Sequence, residues 1–76
     1  MTQSKTERAN YVFGVKEYGD GTPWIMLESS GKGLEVLGNG FVGFELREGT
    51  SLRDAEALAD TLRRNVTTIT YTSFLP

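Results

Sequence analysis

Apolar positions along this chain alternate singly, then recur at helical spacing, then alternate again, and these changes of period divide it into elements. Tyr11, Phe13 and Val15 alternate with Val12, Gly14 and Lys16, the pattern of a strand with one face inward. Asp20-Gly21 follows, a hairpin-turn signal because glycine accepts positive φ without steric cost. "PWIMLES" then reads as a second strand. Pro23 has no N–H to give to a ladder and belongs at its start or on an edge. Both faces of this strand are apolar, Trp24 and Met26 on one and Ile25 and Leu27 on the other. One face meets the core; the other is covered or is an interaction patch.

The next stretch is less regular. "LEVL" and "FVGFELR" read as a short and a longer strand, with Asn39-Gly40 between them as a type I′ turn candidate. Strict pairing across that turn sets Glu35 opposite Phe44, on the face of Leu37 and Val42, unless a bulge near Gly38 or Gly43 relieves it. Strand order and register across residues 34–47 therefore stay open.

"REGTSLRDAEALADTLRRN", residues 47–65, reads as a helix. Ser51 as N-cap with Asp54 at the third helical position makes a capping-box-like start. Asp54 and Glu56 lie early and Arg63 and Arg64 late, in the order the helix dipole favours. Asn65 suits a left-handed stop. Leu52, Ala55, Leu58, Ala59 and Leu62 fall in one arc about 120° wide. Two alanines in that arc allow close approach, and a sheet face is the natural seat. On this reading Leu58→Ala or Leu62→Ala costs roughly 2–5 kcal/mol.

"VTTITYT" closes the pattern as a strand with Ile69 and Tyr71 on one face and Thr68, Thr70 and Thr72 on the other, solvated one. "SFLP" leaves Phe74 and Leu75 to dock on the domain or on a partner. Residues 1–9 are polar and aperiodic, which predicts a disordered tail ahead of a single domain over residues 10–76. The order is β-β-β-β-α-β. The fold class is α+β, an antiparallel-dominated sheet of four to five strands with one helix on one face. Strands flanking the helix, if they share the sheet, run parallel through a right-handed crossover.

Composition narrows the chemistry. The chain of 76 residues is 38% apolar, enough for a thin core; a domain of this size buries only about 60–65% of its unfolded surface, so a partner subunit would help. Cysteine and histidine are absent, which removes disulfides, thiolate and imidazole metal sites, and the commonest general base. No metal or other cofactor is expected. No apolar run approaches the roughly 20 residues of a membrane span, and the first residues lack a signal-peptide core; a soluble, cytoplasmic protein is expected.

The net charge is −2, unevenly spread. Residues 17–60 are acidic, a net of −6, while residues 1–16 and 61–76 are each +2. An acidic centre disfavours direct nucleic-acid binding and suits a basic partner protein.

Three motifs invite chemistry and fail on context. "GNGFVG", residues 38–43, matches G-x-G-x-x-G but leads into a strand-like run rather than a helix. "SSGKG" lacks both the first glycine and the trailing hydroxyl of a phosphate-binding loop. In "NGFVGFEL", Phe41 and Phe44 stand three apart and so on opposite faces of a regular strand, which defeats base stacking on one face. Glu56 and Asp60, one helical turn apart, read as a solvated charged face. Paired carboxylates for acid–base work need a cleft, and a sheet with one helix offers little room for one. An enzyme is not expected.

A small, acidic-centred single domain without His or Cys resembles the phage-encoded inhibitor proteins of the anti-CRISPR type in size and charge. That resemblance implies a non-catalytic protein that occludes a host nucleic-acid-binding defence complex; no motif carries residue roles over. The candidate partner-binding residues are Glu17, Asp20, Trp24, Glu28, Glu35 and Glu48. The alternatives are a structural or regulatory homodimer pairing through sheet edges, and a small enzyme or ligand carrier.

Overall fold

The computed structural model describes the backbone of residues 3–75 and the side chains of residues 3–74. Four strands and a helix follow one another as β1 (Gln3–Glu17), β2 (Pro23–Ser29), β3 (Val42–Glu45), α1 (Leu52–Asn65) and β4 (Thr68–Leu75). The sheet order is β3-β2-β1-β4, and every neighbouring pair is antiparallel. The α+β class and the antiparallel sheet with a single helix are as the sequence pattern predicts.

β1 and β2 close through the expected turn. Gly21 takes φ 88°, the Tyr18 amide donates to the Thr22 carbonyl at 2.9 Å, and the Asp20 carboxylate accepts from the Thr22 amide at 2.9 Å. Phe13 pairs with Leu27 and Val15 with Ile25. These side chains, with Tyr11, Leu34 and Ala59, build the core. Ile25, Ala55 and Ala59 are fully shielded from solvent.

Several expectations are corrected. Residues 3–9 are not a tail: they extend β1, pairing with β4 from Gln3↔Leu75 to Asn10↔Thr68. Met1 and Thr2 lie outside the described residues. The extension has no apolar period of its own. Cross-strand pairs hold it, among them Ala9 with Ile69 against the core and the Thr6 and Thr72 hydroxyls 2.9 Å apart.

"LEVL" is not a strand but a 3₁₀ turn over Glu35–Leu37. The turn buries Leu34 and packs Leu37 against the core while Glu35 and Val36 stay exposed, since residues three apart share one side of a 3₁₀ turn. It thereby avoids the buried Glu35 that strict pairing would require. The type I′ turn at Asn39-Gly40 is absent as well, because among the described residues only glycines take positive φ.

α1 starts as expected, with the Ser51 hydroxyl accepting from the Asp54 amide at 3.0 Å. It does not end in a left-handed Asn65. The Val66 amide donates to the Leu62 carbonyl at 2.8 Å and the Asn65 side chain to the Thr61 carbonyl at 2.7 Å. The helix meets the sheet through Ala55, Ala59 and Leu62. Leu52 and Leu58, at the two margins of the apolar arc, stay 45% and 44% exposed. Across β1 and β2 the helix carries the chain from one sheet edge to the other, so β3 and β4 are not neighbours and run in opposite directions rather than parallel.

Candidate interaction face

The sheet face turned away from α1 carries the second apolar side of β2. Trp24 and Met26 stand there, half-buried. Two glycines make the room. A Cβ on Gly43 would lie 2.9 Å from the Trp24 ring, and one on Gly14 would lie 3.1 Å from the Glu28 carboxylate. The indole therefore lies flat across β3, and Glu28 lies across β1, where it pairs with Lys16 at 2.7 Å.

Trp24 is the middle of a row. The Tyr18 ring stacks on it with centroids 5.6 Å apart and the Phe41 ring meets it at 5.8 Å. Aromatic pairs at this spacing contribute beyond their buried area. Tyr18 and Phe41 remain 45% and 59% exposed, so the row is open to solvent. Glu45 pairs in register with Trp24 and accepts the Tyr18 hydroxyl at 2.6 Å. That bond, then desolvation and then the carboxylate's charge, raises the Tyr18 pKa above its ordinary 10.0. Phe44 faces the other way and stacks on Phe13 at 5.9 Å, the opposite-face split from Phe41 that three-residue spacing predicts.

The six residues marked by the sequence do not share one surface. Trp24 and Glu28 lie on the open face. Glu17 ends β1 opposite Pro23. Asp20 and Glu48 line a groove at the turn end of the sheet together with Arg47, and there the Thr22 amide, ahead of its hydroxyl, lowers the Asp20 pKa. Glu35 belongs to the 3₁₀ turn, whose Val36 amide donates to Glu7 at 3.4 Å. A recess of about 660 Å³ opens between the end of β2 and residues 32–41, with Glu28, Lys32, Glu35 and Phe41 at its walls. Among the described residues, no group of three or more Asp and Glu stands placed to hold a metal ion, and no helix is long and apolar enough to cross a membrane.

Tyr18, Phe41 and Glu45 are the residues of this face that sequence pattern alone does not mark. The available signals were Gly14 and Gly43 inside strands, where a glycine often indicates close approach, and the two-sided apolarity of β2. Compared with family models, curated proteins and solved structures, the chain matches none.

Proposed function

We propose that this protein is a non-catalytic interaction module that docks a basic partner protein on the open face of its sheet. The observation that supports this reading is the Tyr18–Trp24–Phe41 row, solvent-open and bordered by Glu45. A guanidinium lying on an aromatic face gains about 0.5–2 kcal/mol from the ring quadrupole. Glu45 supplies the counter-charge, because among the described residues only Tyr18 donates to it. Lys16 and Glu28 neutralise each other beside the row, which leaves Glu45 to set the local sign. The likeness in size and charge to small phage inhibitors suggests a basic nucleic-acid-binding groove as the partner surface, occupied by an arginine side chain that would otherwise meet phosphate.

Trp24 is the sole tryptophan, so its emission reports on this face directly. An arginine-rich peptide should change that emission, and the change should weaken with added salt and in Glu45→Gln. A neutral peptide of equal length should leave it unchanged. Emission indifferent to the arginine peptide, or equally sensitive to both peptides, refutes the reading.

A further inference from the structure

β4 is the outermost strand of the sheet, and one side of it meets no other strand among the described residues. The Tyr11 amide donates to the Thr67 carbonyl at 3.1 Å. Because backbone groups alternate sides along an antiparallel ladder, the register then turns those of Ile69, Tyr71 and Ser73 toward β1. Those of Thr68, Thr70, Thr72 and Phe74 point outward. Natural edges of this length are blunted by lysine, proline or a bulge. Residues 65–75 contain no charged side chain and no proline, and Thr68–Leu75 is one unbroken strand. The other edges are defended. β3 has only four residues and ends in Glu45, and the outer half of β1 carries Lys5, Glu7 and Arg8. A two-stranded ribbon such as residues 3–10 with 68–75 is marginal by itself, yet this one leaves Tyr71 43% and Phe74 72% exposed.

We propose that a second copy of this chain pairs with β4 along its free edge, antiparallel and centred on Tyr71. An uncharged, β-branched edge is best matched by a strand of the same chemistry, and β4 is that strand. Centring on Tyr71 places Thr70 opposite Thr72 of the partner subunit and Thr68 opposite Phe74 of the partner subunit, so every outward-facing backbone group of the strand is matched. Centring on Thr72 instead would carry Thr68 past Leu75 of the partner subunit, where the strand ends. At Tyr71 the two rings meet across the two-fold axis, and the Thr70 and Thr72 hydroxyls reach one another; both pair types favour antiparallel strands. This dimer uses no residue of the aromatic row and stands independently of the docking proposed there.

Sedimentation equilibrium and charge swapping test it. The wild-type chain should sediment at twice its 8.4 kDa mass. Tyr71→Lys and Tyr71→Glu should each sediment as monomers, since like charges would then face across the axis. An equimolar mixture of the two should regain the dimer, which also shows that both variants fold. In the wild type the Thr70 and Thr72 amides should exchange with solvent more slowly as protein concentration rises, a reading that needs no variant. A wild-type monomer at millimolar concentration, a dimer unaffected by either variant, or Thr70 and Thr72 exchange independent of concentration overturns the proposal.

Discussion

Tyr11 joins the core to the irregular loop through one hydroxyl. That hydroxyl accepts the buried Leu34 amide at 2.8 Å, and Gly33 leaves it room, since a Cβ there would come within 2.9 Å of it. Tyr11→Phe keeps the ring but orphans the amide, so a loss of about 1–3 kcal/mol is expected in urea unfolding. Tyr18 and Asp20 supply opposite pH signatures. The raised pKa of Tyr18 means the folded state prefers the neutral phenol; its contribution is complete below the ordinary tyrosine range and is lost as pH rises through the folded value. The lowered pKa of Asp20 means the reverse: its contribution is present above the ordinary value of 3.8 and is lost as pH falls through the folded one. Ultraviolet titration of the wild type minus that of Tyr18→Phe isolates the Tyr18 phenol, which should ionise above the ordinary tyrosine value. Alkaline unfolding of Tyr18→Phe should also be less steep. A difference titration centred at the ordinary tyrosine value would mean the Glu45 bond is not formed in solution.

At the scale of elements, α1 shows how far pattern reading carries. Its boundaries, its cap and the side it turns inward follow from Ser51, Asp54 and the spacing of its apolar residues. Which of those residues carry the contact depends on how the helix rolls on the sheet, and periodicity does not fix that. The alanines sit at the line of contact and Leu52 and Leu58 at its margins. Leu58→Ala should therefore cost less than about 1 kcal/mol, well below the 2–5 kcal/mol of a fully buried leucine. Ala59→Leu should cost about 1–3 kcal/mol by overpacking. Thermal or urea unfolding of the two variants gives the order directly, and the reverse order would mean a different roll. The strands divide in a similar way. The β1–β2 hairpin was legible because its alternation and its Asp-Gly turn agree. The 3₁₀ turn was not, because "LEVL" fits a strand period and only the shared burial of Leu34 and Leu37 distinguishes the two. The open aromatic face was half legible: Trp24 and Met26 were placed, but Tyr18 and Glu45 reach them only through the hairpin and the β2–β3 register.

For the whole molecule, the ribbon of residues 3–10 and 68–75 sets the shape. The chain measures 47 × 23 × 22 Å with a radius of gyration of 14.7 Å, against about 11 Å for a compact chain of this length. Nothing in the polar run "QSKTERAN" announces a strand; it becomes one because β4 offers partners across the full length of the chain, from Gln3 to Leu75. A contact between residues so far apart in sequence carries the largest loop-closure cost, and that cost falls once the residues between them are ordered. The ribbon should therefore zip last during folding and open first from its tip, with amide protection rising from Lys5 and Ser73 toward Ala9 and Ile69 in native-state hydrogen exchange. Uniform protection along it would instead mean that β1 and β4 melt only with the body. Arg63 has a part in this order of events. Its Nε donates to the Phe13 carbonyl at 2.7 Å, just past the point where β4 ends its pairing with β1. The last turn of the helix thus clasps the inner strand at the fork, and unzipping should halt there, short of the core.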